Sequence, residues 1–162
     1  MSQTQNRYLP DRLIKIIESD AEELTRGTVK LLQTSPRTSS YHNLSYDELH
    51  DRAYGVYHDL GRWLWEKSDQ AIQAWYNDLG DKRCSEGVPL AEVLWALILT
   101  KNRLIDHLRQ WGLADSAIEL YQHQEFDRLV DHFFDRAICY AAEGYEHHAA
   151  AHSKSGSVTV AQ

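Results

Sequence analysis

An all-α domain of about five helices is the fold this sequence predicts, and three features predict it. Only three prolines and eight glycines interrupt 162 residues, so long helices can form. Apolar residues recur three and four positions apart along most of the chain, whereas a short strand-like pattern is confined to Val158–Val160. Hydrophobic residues make up 43% of the chain, enough for one core without disulfide or metal staples.

Residues 1–9 are polar and carry no apolar signal core, so they are expected to be a disordered lead ahead of a helical domain spanning 10–152. Pro10 suits the first turn of a helix, where its missing N–H costs nothing. Leu13, Ile17, Ala21, Leu24 and Leu31 then mark one apolar stripe, with Gly27 as its weak spot and an end near Thr34–Pro36. The second helix has the clearest start. Ser45 and Glu48 form an S-x-x-E capping box, in which each side chain satisfies the other residue's free backbone N–H, and Leu44 and Leu49 flank it as a hydrophobic staple. Leu49, Ala53, Val56, Leu60 and Leu64 continue its apolar face, with a bend expected near Gly61.

Ser68 caps a third helix carrying Ile72, Trp75 and Leu79, which Gly80 is expected to interrupt. Gly87 is a helix stop and Pro89 a first-turn residue for the fourth helix, Pro89 to Trp111. Leu90, Val93, Leu94, Trp95, Leu97, Ile98 and Leu99 make its first half apolar nearly all round, the pattern of a central helix buried on several sides. Asp115 or Ser116 caps the last helix. In it Phe126, Val130, Phe133, Ala137, Tyr140 and Gly144 are spaced 4, 3, 4, 3 and 4 apart, as in a coiled-coil seam. Residues 153–162 are Ser-, Gly- and Thr-rich and are expected to be a flexible tail or linker.

Charge narrows the partners. Lys and Arg number 17 against 24 Asp and Glu, a net charge of −7 that repels phosphate backbones and anionic bilayers, so neither nucleic acid nor a membrane is expected. The longest apolar run, Val88 to Thr100, contains Glu92 and is too short to span a bilayer. Cys84 and Cys139 lie far apart in no paired motif, consistent with two reduced, partly buried thiols in a cytoplasmic protein.

Nine histidines raise the question of metal or haem. His148 with His152, and Glu143 with His147, have the four-residue spacing that puts two ligands on one helix face, but both pairs sit at the end of the last helix, where a solvated terminal turn is expected. His58, His107 and His132 are conceivable haem ligands, but each is flanked by an aspartate and is better explained as a half-exposed histidine paired with that neighbouring acid. His58-Asp59-Leu60 is similar to the phospho-accepting His-acid-Leu of histidine-kinase helices, but Gly61-Arg62-Trp63 stands where a proline usually follows. The stripe Asp127, Asp131 and Asp135 is expected to be a solvated face that Arg128 and Arg136 pair with locally. There is no nucleophile elbow, Gly-rich phosphate loop or Cys-His signature, so no catalytic residue, metal or cofactor is assigned. Most of Trp63, Trp65, Trp75, Tyr76, Trp95 and Trp111 are expected in the core, with some in an exposed patch marking an interface.

The stretch Arg83-Cys-Ser-Glu86-Gly87-Val88-Pro89-Leu90-Ala91-Glu92-Val93-Leu94-Trp95-Ala96-Leu97 resembles the central motif of one bacterial family, the N-terminal domain of RsbRD-type co-antagonists of stress signalling. Similar domains precede histidine kinases and transcriptional regulators. The resemblance covers about fifteen residues, and its core is a helix ending in Arg-x-x-Glu-Gly followed by Val-Pro-Leu-x-Glu-Val-Leu. It implies a helical, non-catalytic sensory domain, commonly dimeric, sometimes globin-like without haem. This sequence includes no output domain, so a stand-alone relative or a fragment cut before one is expected, and no ligand-binding residue carries over.

The expected function is therefore a regulatory input domain of bacterial signal transduction that acts through helix-mediated association, as a homodimer or with signalling proteins. A metal- or haem-binding helical protein, a gas sensor or an enzyme, is the alternative. The candidate interface lies on the last helix. Phe126, Val130 and Phe133 are in the seam, which packs either on the domain's own core, as a last helix usually does, or on a second subunit. Ile138, Ala141 and Tyr145 form an adjoining stripe that would face a partner across a two-fold axis.

Overall fold

The computed structural model describes residues 8–65, 68–110 and 116–155, and among these the only regular structure is helical. Seven α-helices follow one another: α1 (Tyr8–Ser19), α2 (Ala21–Thr34), α3 (Tyr46–His58), α4 (Leu60–Trp65), α5 (Asp69–Ser85), α6 (Leu90–Gln110) and α7 (Ala117–Ser155). A 3-10 turn, Ser39–Tyr41, lies between α2 and α3.

The count exceeds five because two expected helices each break once. The first breaks at Asp20 (φ −97°, ψ 9°), not at Gly27, through which α2 runs unbroken. The break redirects the apolar stripe: Leu13, Ile17 and Leu24 are buried, but Val29 and Leu32 continue it while Leu31 is 37% exposed. The second breaks at Asp59 (φ −103°, ψ 12°), two residues before the expected bend at Gly61. At the ends, α1 begins at Tyr8, ahead of the Pro10 start, and α7 continues to Ser155, into the expected tail. The rest of the proposed lead and tail, and Trp111 and Asp115, lie outside the described residues.

The caps form as the sequence implies. Ser45 Oγ accepts from Glu48 N at 3.3 Å and Glu48 Oε2 accepts from Ser45 N at 2.9 Å, closing the box. Ser68 Oγ accepts from Ala71 N, and Ser116 Oγ from Glu119 N. After α5 the chain makes a Schellman turn. Val88 N donates to Arg83 O and Gly87 N to Cys84 O, both at 3.0 Å, with Gly87 at φ 76°. A left-handed residue is needed there, and glycine adopts it without a Cβ clash. Glu92, in the first turn of α6, accepts from Ser40 N at 2.7 Å and Ser39 Oγ at 2.9 Å, tying the 3-10 turn to this helix.

Burial reassigns the central helix. In α6 only one stripe (Val93, Leu97, Thr100, Leu104, His107 and Leu108) is buried, while Leu94, Trp95, Ile98 and Leu99 are half-exposed. The 39-residue α7 takes the central place, with Phe126, Val130, Phe133, Phe134, Ala137 and Ala141 fully buried. Its closest neighbour is α5, which runs straight through Gly80. A Cβ on Gly80 would run into the Ala141 carbonyl oxygen of α7, and one on Gly144 would run into the backbone of Asn77. The two glycines therefore set a backbone-to-backbone approach. Two apolar clusters result: a large one that draws on all seven helices, with α7 contributing most, and a smaller one of Val29, Leu32, Tyr41, Leu49, Val88 and Val93. Among the described residues no helix is long and apolar enough to cross a membrane.

Candidate functional site

Between the two clusters α3, α5 and α6 do not close completely. A cavity of about 260 Å³ lies there, floored by Leu49 and Val93 on one side and Tyr76 and Leu97 on the other. Trp63 and Trp75 stand edge to face, ring centroids 5.6 Å apart, and both line it. Trp75 is 56% exposed and so belongs to the rim, while Trp63 is buried. The expected α5 stripe thus turns on Tyr76 rather than Trp75.

The wall is not purely apolar. Arg52, Arg62 and Arg83 line the cavity, together with Asp51 and Asp59. Arg83 Nη1 donates to both Glu86 oxygens, at 3.0 and 2.8 Å. Arg52 Nη2 reaches the same carboxylate at 3.4 Å. Two guanidinium groups therefore share one carboxylate. Arg52 Nη1 is buried with no hydrogen-bond partner, and so is the hydroxyl of Tyr76, a residue only 1% exposed. Such groups are uncommon in folded proteins, because stripping a donor of water without replacement costs about 1–3 kcal/mol. Burial pushes the Tyr76 phenol well above its ordinary range, so it stays a neutral donor. Tyr41 is raised by burial too, partly offset by the positive charges of Arg83 and Arg52 beside it. Next to the cavity, Tyr57 shows the opposite case: its buried hydroxyl donates to Thr100 O at 3.1 Å and lies 2.6 Å from Thr28 Oγ1.

Four of the six residues of the candidate interface lie in the core. Phe126, Val130, Phe133 and Ala141 are fully buried. Ile138 packs against the larger cluster, and Tyr145 packs on the smaller one while donating to Val88 O at 2.8 Å. Of the Ile138, Ala141 and Tyr145 stripe only Ala141 is fully buried, while Ile138 and Tyr145 are half-buried. Exposed apolar residues of α7 lie instead in its first turns, at Ile118, Leu120 and Tyr121, all more than half exposed.

Other candidates move as well. His107 is buried and pairs with Asp20 Oδ2 at 2.9 Å, not with Asp106, its neighbour in sequence. His58 is exposed beside Asp59, at 3.3 Å, on the helix break, and His132 is exposed. His148 is half-buried, pairs with Asp81 of α5 at 2.8 Å and stacks on exposed His152, while Glu143, His147 and residues 149–153 are exposed, as a solvated terminal turn implies. Among the described residues no group of three or more His, Cys, Asp or Glu side chains converges on one point. The acidic stripe is not uniformly solvated: burial raises the Asp127 carboxyl. Arg136 crosses to Asp69 at 2.8 Å, Arg128 pairs with Glu125, and Asp131 pairs with Lys101. Cys84 is partly buried, but Cys139 is exposed.

The cavity escaped the sequence reading because Arg52 and Tyr76 look like ordinary helix residues. One signal was available: the Arg83-x-x-Glu86 pair of the helix-ending motif forms part of the cavity's charged wall. No family model, curated protein or solved structure matches this chain.

Proposed function

We propose that this chain is a non-catalytic regulatory input domain of signal transduction, in which occupancy of the α3–α5–α6 cavity is passed through α5 to α7. One observation carries the reading: a single stripe of α5, along which Tyr76, Gly80 and Arg83 follow one another at four and three residues. Tyr76 and Arg83 line the cavity, and Gly80 on the same helix lies backbone-to-backbone against α7. A close-packed contact of that kind has no slack, so a shift of α5 moves α7 with it. The likeness of the Arg83–Leu97 segment to stress-signalling input domains supports the same reading. Association with a second copy or with signalling partners then falls to the first turns of α7 and not to the Ile138–Tyr145 stripe.

The test fills the cavity from within. Ala96→Phe places a ring where a bound molecule would sit, and hydrogen exchange reports on α7. Changed protection between Asp135 and Tyr145 is the expected result. Changes confined to α3 and α6 would reject the transmission. For association, a Leu120→Asp variant with the same sedimentation coefficient as the wild type would remove the first turns of α7 from any interface.

A further inference from the structure

We propose that the α3–α5–α6 cavity binds a small organic monocarboxylate, its charged end on Arg52 and its apolar body against Trp63, Tyr76 and Leu97. The proposal rests on the input-domain reading for its purpose but not for its chemistry.

Charge comes first. The chain as a whole carries −7, yet this cavity gathers three arginines. Its two aspartates do not neutralise them. The Asp51 carboxylate is on the surface with His50, and that of Asp59 is beside exposed His58. The one carboxylate that serves the arginines, Glu86, gives both oxygens to Arg83 and only a 3.4 Å contact to Arg52. Arg52 therefore keeps a buried N–H edge with no acceptor. A guanidinium presents its donors as a planar fork that matches a carboxylate, which makes a carboxylate a better complement than a hydroxyl or an amide.

The Tyr76 hydroxyl adds a second unmatched donor in the same wall. Held neutral by burial, it can donate to an acceptor without contributing charge of its own. Size and surface complete the description. A volume of 260 Å³ is roughly nine waters' share of liquid, room for an acid of about ten non-hydrogen atoms. Trp63, Tyr76 and Leu97 offer rings and an aliphatic side chain to an apolar body. The remaining arginine, Arg62, is exposed at the rim, so a second carboxylate inside would find no enclosed cation. That limits the ligand to one negative charge.

The experiment is calorimetric titration of the full chain with phenylacetate, octanoate and phenylacetamide. Saturable one-to-one binding of at least one acid is expected, with the amide at least about tenfold weaker than phenylacetate. Arg52→Gln should weaken the acid about tenfold or more, Arg52→Lys should fall between, and Tyr76→Phe should weaken it severalfold. Ala96→Phe should abolish binding. Each variant's thermal unfolding shows whether it is folded, and if Arg52→Gln is not, the lysine and phenylalanine variants decide. Equal affinity for acid and amide, indifference to the Arg52 and Tyr76 changes, or no saturable binding up to about 10 mM would each overturn the proposal. Binding that leaves α7 exchange untouched would keep this site and reject the input-domain reading. A response of α7 to Ala96→Phe without acid binding would do the reverse.

Discussion

Neighbouring turns of α5 solve the problem of packing in opposite ways. Toward α7, Gly80 and Gly144 carry no side chain, so the two backbones meet at those positions and a Cβ would not fit between them. Toward α3 and α6, the large side chains Tyr76 and Arg83 prop the helices apart and leave a cavity with unmatched donors. The difference shows that tight and loose packing can belong to neighbouring turns of one helix. The tightly packed turn fixes where α5 is. The loosely packed one is where a small molecule could alter it.

The largest effect should come from breaking the tightly packed turn. Gly80→Val drives a branched side chain into the Ala141 carbonyl, and we expect a loss of about 3 kcal/mol or more, seen in denaturant unfolding. A loss under about 1 kcal/mol would mean that α5 and α7 can separate easily, and the contrast between the turns would disappear.

Ser45→Ala comes next. It removes half of the capping box that starts α3, the helix forming the far wall of the cavity, and should cost about 1 kcal/mol. Unchanged thermal unfolding would show that the wall does not depend on this cap.

Tyr76→Phe tests the loosely packed turn, and its expected sign is reversed. The hydroxyl has no partner, so deleting it should be neutral or stabilise the chain by up to about 1 kcal/mol. A clear loss of stability would reveal a partner for that hydroxyl.

The smallest effect separates the outer face of α3 from its inner one. Outside, Tyr46, His50, Tyr54 and His58 form a ladder of rings, and His50 Nε2 meets Glu22 Oε2 at 2.9 Å. The hydrogen bond with Glu22 raises His50 above its ordinary 6.5, so its contribution is complete below that pH and is lost as pH rises through the raised value. The same bond lowers Glu22 below 4.5, so its contribution is present above 4.5 and is lost as pH falls through the lowered value. The pair therefore stabilises the fold most between pH 4.5 and 6.5. Melting temperatures of wild type and Glu22→Gln should differ most in that window. Parallel curves across the whole range would remove the pair from the stability of α3. Cavity variants should leave this pH dependence unaltered.

Local chemistry made much of the fold legible. Ser45-x-x-Glu48, Ser68 and Gly87-Val88-Pro89 act within a few residues of themselves, so their neighbours in sequence suffice to place them. The break at Asp59 was legible to within two residues from Gly61, but the one at Asp20 was not, because it occurs where two helices turn to meet a distant partner: Asp20 takes His107, which is 87 positions away. Gly80 looked like a helix breaker for the same reason. Its function is to admit α7, and only the packed structure shows that. The seam of α7 was correctly periodic, but periodicity cannot tell whether a stripe meets its own domain or another molecule, and here α5 uses it up. The cavity was least legible of all, since an unmatched donor is a property of surroundings and not of residue type.

The pairing of Trp63 with Trp75 has a spectroscopic consequence. Two indole rings 5.6 Å apart and inclined at 67° are close enough for their strong electronic transitions to couple as an exciton. Coupled transitions appear in circular dichroism as adjacent bands of opposite sign, overlapping the region where helices absorb. Ellipticity in that region is therefore a sum of backbone and ring signals, and helix content read from it alone will be biased. The same couplet depends on the angle between the rings at the cavity's edge, so its amplitude follows the position of Trp75 directly, without any added label.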